Sequence, residues 1–204
     1  MPRSKPDQVF INCPFDADYA PLLRAVQFTV LACGFTPRSA LEENNAGVIR
    51  LAKIMRLIKE CRYGIHDISR TELDPKSGLP RFNMPFELGL FLGIADKPAA
   101  VARRKSALVL DRERYRYQVF LSDIAGQDIH SHHGTTDGAI QAVRKWVNDQ
   151  DKKRMHPGTL AIQKRFRGFL EWVPNQLKAR GHSEEDLSFV DWSNLMEWWV
   201  WSEL

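Results

Sequence analysis

Over the first 150 residues, short apolar runs alternate with longer segments of helical period. Gln8-Val9-Phe10-Ile11-Asn12-Cys13 is a compact apolar run that stops at Pro14, Phe15 and Asp16, which predicts a buried strand entering a loop. From Tyr19 to Cys33, Leu22, Leu23, Val26, Val30 and Leu31 fall at helical spacing, and Gly34 closes the helix. Residues 35–40 predict a weak second strand, and Pro37 suits a sheet edge. Val48 to Glu60 repeats Ile49, Ala52, Ile54, Met55, Leu57 and Ile58 along a helix whose Arg50, Lys53, Arg56 and Lys59 form a solvated face. A third strand follows, ending on Asp67, and then a Pro- and Gly-rich loop from Ser69 to Asn83.

Asn83 is expected to cap the next helix, with Pro85 in its first turn and its end near Asp96-Lys97-Pro98. Ala107 to Asp111 predicts a fourth strand, again finishing on a carboxylate, and a fifth is placed loosely around Gln127 to Ser131. Ile140, Val143, Trp146 and Val147 give a helix from Thr136. Strands alternating with helices in this way predict a flavodoxin-like α/β fold, a parallel five-stranded sheet with helices on both faces.

After Asp149 the pattern changes, so residues 1–150 are expected to form the α/β domain and residues 151–204 a Trp-rich helical extension. Met155-His156-Pro157-Gly158 is the joint, and helices are expected over about 160–180 and 184–202, with a kink or break near Trp172-Val173 from Pro174. Trp192, Trp198, Trp199 and Trp201 are too concentrated for a free surface. They are expected to pack on the α/β domain or on another subunit, with a substrate-facing role as the third option.

Charge changes this picture little. A formal net charge of +4, with 26% charged and 44% hydrophobic residues, tolerates an anionic ligand without demanding nucleic acid. Cys13, Cys33 and Cys61 form no CxxC pair, which argues against a zinc site or a disulfide framework. The polar N-terminus and the lack of a run of about 18 apolar residues predict no secretory signal, no membrane span and a cytoplasmic location.

Candidate chemistry converges on the carboxyl ends of the strands, where open α/β sheets bind ligands. Asn12 to Asp16, Asp67 to Arg70 and Asp111 lie there, and the helix carrying Glu87 opens on the same edge. Glu87, expected in the first turn of an apolar helix, is either a catalytic carboxylate or a complement to the helix dipole, worth about 0.3–1 kcal/mol. His130, His132 and His133 cluster without a second ligand group and read as loop histidines, and His66 as packed at its strand end. Ser122-Asp123 and Gly126-Gln127-Asp128 either close the pocket or form a turn. No GxGxxG, Walker loop or nucleophile elbow is present.

Val9-Phe10-Ile11-Asn12, the helix Leu51 to Glu60, the strand Tyr63 to Asp67 and then Phe86-Glu87-Leu88, with Lys97-Pro98 following, resemble the TIR and nucleoside 2-deoxyribosyltransferase superfamily over roughly residues 8–150. The resemblance implies cleavage of an N-glycosidic bond to a ribose, with Glu87 and Asp67 as catalytic residues and Phe10, Asn12, Pro14, Phe15, Asp16, Ser69, Arg70 and Asn83 binding substrate. It further implies a TIR-like NAD hydrolase that uses NAD or a nucleotide as substrate rather than cofactor, holds no metal, assembles as a homo-oligomer and serves bacterial antiviral defence. The alternatives are a nucleoside or nucleotide 2-deoxyribosyltransferase and a non-catalytic nucleotide-sensing or interaction module. Asn83-Met84 stands where TIR enzymes carry a Trp-Cys pair, and Phe82-Asn83-Met84-Pro85 is bulkier than the corresponding deoxyribosyltransferase stretch.

Overall fold

The computed structural model describes residues 7–74, 77–95 and 104–202. Five parallel strands, β1 (Gln8–Asn12), β2 (Thr36–Arg38), β3 (Tyr63–Asp67), β4 (Ser106–Asp111) and β5 (Ile129–Ser131), form one sheet in the order β2-β1-β3-β4-β5. The predicted flavodoxin-like arrangement is what the chain adopts. Strand β2 takes an edge, where a residue without an N–H interrupts no inner ladder, and Pro37 lies opposite Val9.

Helices α2 (Arg50–Glu60) and α3 (Asn83–Ala95) pack together on one face of the sheet, their core built from Phe10, Ile54, Leu57, Ile58 and Phe91. On the other face lie α1 (Ala20–Ala32) and α4 (Thr136–Gln150). Six consecutive residues of α1, Ala25 to Val30, are buried. A helix covered all round needs a second layer over its outer side, and α5 (Thr159–Arg180) and α6 (Phe189–Ser202) supply it. Gln27, buried in that interface, donates to the Phe189 carbonyl at 2.9 Å and to Ser193 Oγ at 2.5 Å. The C-terminal helices therefore share one core with the sheet and α1. Trp192 is buried there, whereas Trp198 and Trp201 remain about half exposed.

Two expectations need correction. Of the kink or break expected near Trp172-Val173, the break is absent: helix α5 runs on through Pro174, which sits on its exposed side, where the carbonyl it leaves unpaired can meet water. The last helical segment, expected as one piece from residue 184, divides into a short 3-10 turn, Glu184–Asp186, and α6. Ser183 with Asp186 and Ser188 with Asp191 each exchange side-chain and backbone hydrogen bonds, so each serine starts its own segment. The end of the Glu87 helix at Asp96-Lys97-Pro98 lies outside the described residues.

Candidate active site

Helix α3 is apolar on every side, and Met84, Glu87, Leu88 and Phe91 form its buried stripe at i, i+3, i+4 and i+7. Glu87 thus occupies a position where the helical period would place a core residue. Since α3 begins at Asn83, Glu87 is its fifth residue and lies beyond the first turn. The helix-start explanation for the acid loses its footing there, because the dipole effect fades after that turn. Asn83 is the first helical residue and exposed, not a preceding cap.

Glu87 is 5% exposed, and among the described residues no hydrogen bond or ion pair reaches its carboxylate. Burial pushes it up to about 7, with the nearby Arg50 charge pulling the other way. A buried acid poised near neutrality without a structural partner marks a functional position. Arg50, expected on a solvated face, is the cation that reaches it.

The loops after β1 and β3 meet beside this helix, at the point where the strand order turns outward in both directions. Arg70 pairs with Asp16 and lies 3.4 Å from Asp18, tying the two loops together. Burial opposes ionisation of Asp16, but Arg70 and the Tyr19 N–H outweigh it and hold the acid below its ordinary value. Arg116 fastens the next pair of strand ends: it bonds Asp111 at the end of β4, Thr71 Oγ1 at 2.7 Å and the Ser69 carbonyl at 2.6 Å. Burial raises Asp111 in spite of Arg116.

Asp67 is fully buried and fully engaged. Tyr19 donates to its Oδ2 at 2.5 Å and the Ser69 N–H to its Oδ1 at 2.8 Å. His132 Nδ1 accepts from the Gly134 N–H, which leaves the ring proton on Nε2. That atom lies 3.1 Å from Asp67 Oδ2 but is misaligned for a hydrogen bond, so the contact is electrostatic. Burial and the Asp67 charge push the Tyr19 phenol well above its ordinary value and keep it a donor. The cluster joins the start of α1, the end of β3 and the segment after β5, giving Asp67 a bracing position. Tyr19→Phe should cost about 1–3 kcal/mol by leaving a buried carboxylate oxygen short of a donor, read as a lower urea midpoint at unchanged slope.

Several other expected substrate ligands are buried or half-buried in the folded chain. Phe10 is fully buried between α2, α3 and the sheet, with His66 at 5.9 Å on edge, so it cannot stack on a base. Asn12 is buried, donating to His66 Nδ1 at 3.1 Å and to the Met84 carbonyl at 3.0 Å, which braces β1 against β3 and α3. His66 is packed as expected, and burial lowers it to about 3, so it stays neutral. Pro14 and Ser69 are buried, and Phe15 is half-buried against the core. Close to Glu87 in sequence, Phe82 and Phe86 are exposed, one turn apart at the start of α3. The sequence reading missed them, although their apolar character at exposed helix positions was visible.

Cys13 was also missed. Its buried thiol is raised well above its ordinary value, first by burial and then by the charges of Asp67, Glu87 and Asp16. It stays protonated and places a small, uncharged group among three acids. Among the described residues no three His, Cys, Asp or Glu side chains converge to hold a metal, and no helix is long and apolar enough to cross a membrane. Two clefts, of about 560 Å³ between β5 and α4 and about 290 Å³ between β2 and α6, lie away from Glu87. No protein-family model matches the chain, and neither does any curated protein.

Proposed function

We propose that the protein cleaves the N-glycosidic bond to ribose in NAD or a related nucleotide, with Glu87 as the catalytic carboxylate. The observation that carries this reading is the buried, unpartnered Glu87 on the core-facing stripe of α3, held up to about 7 beside the β1/β3 switch point. As the C1′–N bond breaks, its electron pair leaves on the base and positive charge grows at C1′. An ionised carboxylate in a water-poor surround stabilises that charge, or attacks C1′ to give a glycosyl ester that water then opens. Arg50, whose charge reaches Glu87, is placed to attract the substrate's phosphates. Phe82 and Phe86 offer the exposed ring faces on which a base can stack.

Purified protein incubated with NAD, nucleotides and nucleosides should release nicotinamide or another free base together with the ribosyl product, both identified by mass spectrometry. A second base added to the mixture separates the two outcomes of the same chemistry: incorporation into a new nucleoside marks transfer, and none marks hydrolysis. Binding of the same compounds without any product would leave only the sensing or interaction role.

A further inference from the structure

We propose that the cleft between β5 and α4 is a second ligand site, and that it takes a net-neutral, polyhydroxylated ring with a flat face: a sugar or ribosyl ring, free or carrying a base. At about 560 Å³ the cleft is within the range of small-molecule sites, roughly 300–1,000 Å³. Arg114, Asp128, Lys145 and Asp149 line it, two cations and two anions. His130 lines the cleft with them and feels all four charges, yet none of the four has an ion pair or a side-chain hydrogen bond among the described residues. Donors and acceptors are thus left open together with no net charge. A phosphate placed there would face both acids, whereas hydroxyl groups can accept from Arg114 and Lys145 while donating to Asp128 and Asp149.

The backbone adds an independent indication. Tyr115 and His133 are the two non-glycine residues with left-handed φ among those described, at 62° and 54°, and both line this cleft. Such a conformation is disfavoured for bulky side chains and gathers at functional positions. It holds the Tyr115 ring 68% exposed at the rim, a flat apolar platform suited to the C–H face of a sugar or to a base. His133 Nε2 lies 3.2 Å from Ser131 Oγ, and both residues line the cleft.

The test uses the full chain carrying Glu87→Gln, so that any substrate of the first site survives the titration. Adenosine, methyl β-D-ribofuranoside, methyl α-D-glucopyranoside and AMP are titrated by saturation-transfer NMR and calorimetry. At least one neutral probe should bind saturably, and Tyr115→Gly or Asp149→Asn should weaken it about tenfold or more, the size expected for one lost charged hydrogen bond or stacking face. Tyr115→Gly removes the ring while suiting the left-handed backbone, so loss of binding with an unchanged melting temperature reports on the cleft and not on folding. Binding of adenosine but neither glycoside assigns a base-bearing ligand, and binding of a glycoside assigns the sugar ring alone. No saturable binding of any neutral probe, binding unaltered in both variants, or an AMP preference over adenosine of about tenfold that both Tyr115→Gly and Asp149→Asn abolish would each overturn the proposal, whatever the outcome for Glu87.

Discussion

Glu87→Gln is expected to reduce release of free base by about 10²–10³-fold or more while leaving the far-UV circular dichroism of the protein unchanged. Glutamine keeps the shape and the burial of the side chain but removes the negative charge, which is the only property that rises in value as positive charge develops at C1′. The loss should therefore fall on kcat more than on KM. Full activity in this variant would remove Glu87 from the mechanism. A loss of activity accompanied by unfolding would be unexpected, because the carboxylate has no structural partner to lose.

The pH dependence follows from the same group with a definite sign. Glu87 is raised from 4.5 to about 7 by burial, so the free enzyme's activity should climb as pH rises through about 7 and then level off, since the ionised form is the working one. Stability should move the other way. Between pH 4.5 and about 7 the folded state holds a proton that the unfolded state has released, so the contribution present below 4.5 is lost as pH rises, up to about 3 kcal/mol. At pH 8 the Glu87→Gln variant should accordingly melt higher than the wild type, with little difference at pH 4. An opposite order at pH 8 would mean that an ionised Glu87 is paired and stabilising.

Periodicity in the sequence located β1 and β4 as compact apolar runs and α2 and α4 by one strong apolar stripe each. Pro37 even marked the edge strand, since only an edge tolerates its missing donor. Faces were harder to read. A strand covered on both sides has no polar alternation, so nothing in the order of residues showed that Phe10 turns into the α2/α3 layer. The Tyr19–Asp67–His132 cluster was hidden for a different reason: its members come from three separate segments and only the parallel sheet brings them together. Glu87 could be singled out because an acid in an apolar helix is chemically conspicuous. That it sits on the buried stripe became clear only once Asn83 proved to be inside the helix. The serine at 188 was legible as a helix start through Asp191 three residues on, a pairing that Ser183 and Asp186 repeat just before it.

Phe169→Ala is expected to be the most destabilising single truncation on the C-terminal side, at about 3–5 kcal/mol. The ring is fully buried on α5 and lies within 5.6 Å of Phe28, 6.1 Å of Trp172, 6.2 Å of Trp192 and 6.3 Å of Trp199, centroid to centroid. Those partners belong to α1, α5 and α6, so one cavity would loosen three helices at once. For a chain of this length the melting temperature should fall by roughly 10 °C, measured at pH 7 where other contributions are held fixed. The consequence extends to the site, because α1 is clamped between the sheet and these outer helices, and Tyr19 at its start holds Asp67. Weakened packing behind α1 should therefore increase hydrogen exchange at its first turn as well as around residue 169. Exchange confined to α5 and α6 would show instead that the outer layer opens by itself and that α1 is held by the sheet alone.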